Sequence, residues 1–76
     1  MKFPDGQDIR LGDKLELWQG CYGTVVASID TGDYSTSYPR SEWEDLKSGV
    51  LIHSDEAGLI HYLEPEPSFV LIEREQ

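Results

Sequence analysis

The sequence has little cysteine, few basic residues and no long apolar run. Its single cysteine, Cys21, cannot form a disulfide within the chain or supply the several thiolates of a cysteine-rich zinc site. No apolar stretch approaches the ~20 residues that cross a bilayer, and MKFPDGQDIR at the start carries charge and proline where a signal peptide needs an apolar core. We therefore expect a cytoplasmic protein without a membrane partner.

The shortage of basic residues leaves a large excess of negative charge. Six Lys and Arg stand against 15 Asp and Glu, which gives a net charge of -9. This charge repels nucleic-acid phosphates, so we expect no nucleic-acid partner. An acidic surface can serve solubility alone, or it can steer the approach of a basic protein partner.

The length of 76 residues predicts one domain, 1–76, with a small core and no cleft between domains. Short segments with alternating or continuous apolar residues, separated by turn residues, predict a mainly β protein. We expect a small SH3-like antiparallel barrel of about five to six short strands. The strands are predicted at 13–18, 24–30, 50–54, 59–64 and 68–73, and the core at Leu15, Leu17, Val25, Ala27, Ile29, Leu51, Leu63 and Leu71.

One short helical turn is predicted at 41–47, inside the otherwise β pattern. Ser41 and Glu44 have the spacing of a capping box, in which each side chain satisfies a backbone N–H of the other residue. Gly49 is predicted to end the turn, and Lys47 lies near its negative end. The turn therefore belongs to the acidic, aromatic stretch DTGDYSTSYPRSEWEDL.

The first third of the chain, IRLGDKLELWQGCYGTVVASID, resembles the KOW-type opening hairpin of SH3-like barrels. The resemblance implies that barrel fold. KOW modules usually contact RNA or ribosomal protein, but the scarcity of basic residues here separates this chain from RNA binding. The motifs that carry the resemblance are Ile9, Gly12-Asp13, the alternating Leu15 and Leu17, Gly20, Gly23 and Val25-Val26.

The whole chain is similar to short acidic bacterial proteins, through the motifs FPDG, GVLI, GLIHY and EPEP. Some acidic SH3-like proteins of this kind are immunity proteins, encoded beside secreted toxins. The resemblance implies occlusion of a toxin's active site and brings no catalytic residues with it.

Two histidines are the main candidates for chemistry. A three-residue loop at 56–58 would place His53 opposite His61, with Cys21 or Asp55 nearby, as zinc or nickel ligands. The alternative is that both are ordinary half-exposed sheet residues. Paired carboxylates occur only in polar loop sequence, and Cys21 has no basic neighbour to activate it. We expect neither catalysis, nor a cofactor, nor a bound metal.

The acidic, aromatic stretch is the best candidate for a binding surface. Aromatic rings supply contact area at protein interfaces, and exposed charges supply steering. We assign Trp43 to the core and the other rings to the surface. The predicted partner-binding residues are Trp18, Tyr22, Asp30, Asp33, Tyr34, Tyr38, Glu42 and Asp45.

These residues lead us to expect an acidic module that binds a basic protein partner, most concretely an immunity protein that covers a basic site on a toxin. An accessory or regulatory adaptor in a cytoplasmic complex is one alternative. A small metal-binding protein that uses His53 and His61 is another. We expect a monomer, or a weak homodimer paired through the final strand if its edge is free.

Overall fold

The computed structural model describes residues 1–43 and 45–74. It contains a single six-stranded antiparallel sheet in the order β5-β4-β2-β1-β6, with β3 pairing with β2 beside this path. The predicted class, mainly β with short antiparallel strands and almost no helix, is confirmed. The elements are β1 (Lys14–Trp18), β2 (Cys21–Ser28), β3 (Asp33–Tyr34), α1 (Arg40–Trp43), β4 (Val50–Ser54), β5 (Gly58–Tyr62) and β6 (Val70–Glu73).

The sheet curls until its two edge strands approach each other at one end. Tyr62, at the end of β5, packs edge-to-face against Phe69, immediately before β6, with ring centroids 4.9 Å apart. Burial, then the nearby Glu66 and Cys21, raise the pKa of the Tyr62 phenol above its ordinary value. In the described part of the chain, β5 and β6 share no backbone ladder. Side chains therefore close the seam between them.

The first hairpin turns earlier than the sequence pattern predicts. Trp18 pairs with Cys21, so the turn consists of Gln19 and Gly20, and Gly20 has a left-handed φ of 84°. A bulge between Glu16 and Trp18 accompanies this turn. The second strand consequently begins at Cys21, which is fully buried, and ends two residues before the predicted 30.

The second hairpin has a different register from the predicted one. Ser54 pairs with Gly58, so the loop is 55–57 and not 56–58. The Ser54 hydroxyl accepts a hydrogen bond from the Ala57 N–H and donates one to the Gly58 carbonyl, both at 2.9 Å, which closes the turn early. β5 therefore runs from 58 to 62, whereas the prediction was 59–64.

The helix is shorter than predicted and begins one residue earlier. It covers Arg40–Trp43 and has no buried residue, so Ser41 lies inside it and not at its cap. The other half of the predicted capping box, Glu44, lies outside the described residues. Gly49 does not end the helix. It adopts a φ of 97° where the chain returns to β4, with the Tyr62 carbonyl lying where a side chain would begin.

The core agrees with the predicted one at five of its eight residues, which lie on β1, β2 and β4. Leu15, Leu17, Val25, Ala27 and Leu51 are buried as predicted, whereas Ile29 and Leu71 are only partly buried. Leu63 is 65% exposed, and that prediction is wrong: the residue follows the end of β5 and no longer faces the core. The prediction missed the buried Phe3, Ile9, Cys21, Val50, Ile52 and Phe69.

A buried ion pair ties the chain's first residues to the end of β6. Asp13 is fully buried; its carboxylate accepts hydrogen bonds from Arg74 Nε at 3.0 Å and from the Arg10 N–H at 2.9 Å. Arg74 also donates to the Asp8 carbonyl at 2.8 Å. A buried carboxylate needs such partners, because desolvation of an unpaired charge is costly. Over the same described residues, no helix has the length and apolar character to span a membrane.

Candidate functional site

The predicted partner-binding residues lie near opposite ends of β2. Tyr22 is near its start, whereas Tyr34 pairs with Ala27 near its end. Tyr22 and Ala27 are roughly 16 Å apart along the strand, at about 3.3 Å per residue. The predicted residues thus form two groups. Trp18 and Tyr22 form the first, which we call the hairpin cluster. The others lie in residues 29–49, the connection between β2 and β4, which we call the insertion.

Local hydrogen bonds fix the base of the insertion. Asp30 Oδ1 accepts a hydrogen bond from the Gly49 N–H at 2.9 Å, so one residue at each end of the insertion is tied to the other. Thr31 Oγ1 donates to Asp33 Oδ2 at 2.7 Å and lies 2.9 Å from Ser28 Oγ. Asp30 also lies 3.7 Å from the Met1 amine. Its carboxylate is therefore engaged in holding the insertion together, although Asp30 is one of the predicted partner-binding residues.

The aromatic side chains of the insertion are half-buried and contact one another or a cation. The Arg40 guanidinium lies 5.3 Å from the ring centroid of Tyr34 and donates to the Gly32 carbonyl at 3.1 Å. Tyr38 and Trp43 have ring centroids 6.0 Å apart. Trp43, predicted to be core, is half-buried and packs outside the main hydrophobic cluster. Tyr38 and Trp43 therefore form a small apolar layer of their own, partly open to solvent, whereas Tyr34 is covered by Arg40.

Two polar atoms within this layer are buried without a hydrogen-bond partner in the described structure, the indole Nε1 of Trp43 and the hydroxyl of Ser35. A buried polar group without a partner costs about 1–3 kcal/mol. Ser35 forms an isolated bridge with Tyr38, whose ring contacts Trp43 of α1, so both atoms lie close to the Tyr38 segment of the insertion. Among the described residues, the insertion therefore leaves more buried polar side-chain atoms without a hydrogen bond than the sheet does.

Three other acids of the insertion face solvent. Asp33, Glu42 and Asp45 are exposed, and the ion pairs found among the described residues involve other acids, namely Asp8, Asp13 and Asp30. Asp33 also lines an open recess of about 480 Å³, whose wall contains Met1, Asp8, Ile9, Arg10, Leu11 and Thr31.

The charges around this recess are mixed. The Lys2 ammonium, 2.7 Å away, holds the pKa of the Asp8 carboxyl below its ordinary value. Arg10 contributes a second positive charge to the wall. Two carboxylates line the recess. Asp8 is paired with Lys2, whereas Asp33 forms no ion pair with a described residue.

The hairpin cluster lies on the outer face of the sheet, in a larger apolar area. Trp18 and Tyr22 are 41% and 46% exposed, and Val70 and Ile72 of β6 are 50% and 56% exposed. Glu16 pairs with both Tyr22 and Val70, so these three residues form one row across three strands. Val70 and Ile72 are not among the predicted partner-binding residues. The alternation within the segment VLI would have indicated them, because Val70 and Ile72 point away from the core when Leu71 points inward.

The geometry that suggested a metal site is absent. His53 pairs with Leu59 and His61 with Leu51, so the two histidines are not the cross-strand pair that a loop at 56–58 would have made, because the turn at 55–57 shifts the register by two residues. A ring nitrogen of His61 lies 2.9 Å from the Ser48 carbonyl oxygen. Within residues 1–43 and 45–74, no three His, Cys, Asp or Glu side chains converge as metal ligands would.

Comparison with known proteins yields no relative: no family model, no curated protein and no solved structure matches the chain. The fold and the surfaces described above are therefore the basis for assigning a function.

Proposed function

We propose that this protein is a binding module for a basic protein partner and that the insertion is its recognition surface. The observation that carries the proposal is the arrangement of Asp33, Glu42 and Asp45. These carboxylates are exposed, and in the sequence each lies within two residues of a half-buried ring, Tyr34 or Trp43. Rings at the centre and charges at the rim are typical of protein interfaces.

The charge of the whole chain supports the same proposal. The net charge is -9, and two of the six basic residues, Lys2 and Arg74, form ion pairs with acids of the same chain. Arg40 lies over Tyr34. The long-range field is therefore negative, and such a field speeds the encounter with a cationic partner while it discourages nucleic acid.

The most concrete form of the proposal is immunity, in which the module covers a basic site on a secreted toxin. This form rests on the resemblance to short acidic bacterial SH3-like proteins, and on the small curled sheet that such a resemblance implies. An adaptor in a cytoplasmic complex would use the same surface. The two forms differ in gene context, because an immunity gene lies beside its toxin gene.

The test is the purification of the protein with its partner from native lysate, followed by binding kinetics on variants. Reversing charge at Asp33, Glu42 and Asp45 together should mainly slow association and flatten its salt dependence, because exposed charges act through the long-range field. The matched control reverses three exposed acids outside the insertion, Glu56, Glu64 and Glu66. It changes the net charge equally but should affect association less.

The rings should affect dissociation instead. Tyr34→Ala or Tyr38→Ala should speed dissociation at a cost of about 2 kcal/mol if that ring is an anchor of the interface. Neither substitution should alter the salt dependence, since no charge changes. A partner that binds the triple charge reversal and both Tyr variants as tightly as the wild type would exclude the insertion as the recognition surface.

A further inference from the structure

A second surface, distinct from the insertion, stands out on the outer face of strands β2, β1 and β6. Four of the five large apolar side chains most exposed in the described structure lie there, namely Trp18, Tyr22, Val70 and Ile72. The alignment of Glu16 with Tyr22 and Val70 makes the area continuous across three adjacent strands. We call these four residues with Glu16 the outer face. Contiguous exposed apolar area of this kind usually marks an interaction surface.

The outer face ends at a free sheet edge. β6 pairs with β1 on one side, and no strand of the described chain pairs with it on the other. Three of its four residues are exposed, so its outward N–H and C=O groups are accessible. The protection of this edge is slight: Val70–Glu73 contains no proline or lysine, one charged residue, Glu73, and one irregularity at Ile72, where the register against β1 shifts. Such an edge can add a strand from another chain.

Charge indicates what kind of strand the edge would accept. Glu16 and Glu73 lie on β1 and β6, and Lys14, which pairs with Glu73, is the one base beside them on these strands. A groove of about 350 Å³ between Tyr22 and Ile72 has both Asp55 and Lys14 in its wall, so the excess of negative charge on this surface comes from Glu16 and Glu73. A second copy of the chain would bring the same acids, and a net charge of -9, against this surface. Electrostatic complementarity therefore favours a basic partner over self-association.

We propose that β6 and the outer face bind an extended segment of a protein partner in which long basic side chains alternate with apolar ones. The segment adds to the sheet as a further strand beside β6. The aliphatic stems of its Lys or Arg side chains lie on Val70 and Ile72, and their charged ends reach Glu16 and Glu73. Its apolar side chains alternate with the basic ones and therefore point to the opposite side of the added strand. They face the seam between β5 and β6 that Tyr62 and Phe69 close. This inference rests on the proposed function only for the basic character of the partner.

The probe for this proposal is a short fluorescein-labelled peptide that alternates lysine and valine, followed by fluorescence anisotropy. A peptide of the same composition, with its lysines and valines in two blocks, controls for charge alone. The alternating peptide should bind more tightly, and amide hydrogen exchange at Val70–Glu73 should slow when it binds, because strand addition protects outward N–H groups. Equal binding of the two peptides, or no binding, would overturn the proposal.

Two pairs of variants locate the binding site. Val70→Thr with Ile72→Thr keeps the β-branched shape but removes apolar contact, and should weaken binding by about tenfold. Leu63→Thr, at a more exposed apolar position outside the outer face, should change binding less than about twofold. Glu16→Gln with Glu73→Gln should also weaken binding, and Glu42→Gln with Asp45→Asn, which changes the net charge equally at exposed acids of the insertion, much less. Equal effects of target and control variants would contradict the assignment.

Two further measurements separate this inference from its competitors. Sedimentation equilibrium of the free protein reports self-association: a dimer that the Val70→Thr, Ile72→Thr variant dissociates, with no peptide binding, would assign the edge to a second copy. Tyr34→Ala, an insertion variant that changes no charge, should leave peptide affinity within about twofold, since Tyr34 lies on β3, which pairs with β2 and not with β6. If the native partner responds to the insertion variants but the peptide does not bind, this inference fails and the proposed function stands.

Discussion

Strands β2 and β4 and the insertion that joins them differ in what holds them together. Val25 and Ile52 pair across the two strands and are almost completely buried, and Gly23 leaves room for the Ile52 side chain. The insertion has no buried residue in its helix and is held by hydrogen bonds such as that from the Gly49 N–H to Asp30. The stability of the protein therefore resides in the sheet, and the insertion is free to carry exposed charges and rings.

The largest effect should come from truncating a side chain at the centre of the sheet. We expect Ile52→Ala to lower the free energy of unfolding by about 4 kcal/mol, because it leaves a cavity between β2 and β4. Trp43→Ala should cost about 2 kcal/mol, although the ring is larger, because it is half-buried in the insertion. Leu63→Ala, at an exposed apolar position, is the control and should cost less than about 0.5 kcal/mol. Urea denaturation measures the free energy of unfolding of all three variants. A larger loss for Trp43→Ala than for Ile52→Ala would show that the insertion contributes more to stability than the sheet does.

A smaller loss is expected where the insertion rejoins the sheet. Gly49→Ala places a Cβ against the Tyr62 carbonyl and requires a left-handed φ, which should together cost about 3 kcal/mol. Gly20→Ala requires the same backbone region but meets no atom within 4 Å, so it should cost about 1 kcal/mol. The difference between the two midpoints of thermal unfolding reports the cost of the steric clash between the new Cβ and the Tyr62 carbonyl. Equal losses would mean that Gly49 matters only for its backbone angle.

The smallest effect should come from removing the unpartnered indole N–H of the insertion. Trp43→Phe loses ring area but also removes a buried donor that has no acceptor in the described structure. We expect these changes nearly to cancel, so that the free energy of unfolding stays within about 1 kcal/mol of the wild type. Chemical denaturation of both proteins measures the difference. A loss above about 2 kcal/mol would show that the indole N–H is satisfied in solution, and that the insertion is as well ordered as the sheet.

The two candidate surfaces were visible in the sequence to different degrees. The insertion was recognisable because acids and rings are concentrated in one continuous stretch. The outer face was not, because Trp18 and Tyr22 are separated by about 50 residues from Val70 and Ile72 and meet them only through the pairing of β1 with β6. Sequence patterns identify which side of a strand a residue takes, but they do not say which strands are neighbours.

The sequence alone determined the β class, the approximate positions of most strands and the core of the first hairpin, because period-2 apolar patterns and turn residues act locally. The tertiary structure alone decided three things. A serine hydroxyl closed the second turn early and separated His53 from His61. The first residues of the chain supplied Phe3 and Ile9 to the core without any strand pattern of their own. The curl of the sheet brought Tyr62 to Phe69 and left β6 with a free edge. Each of these depends on contacts between distant parts of the chain, which no local pattern encodes.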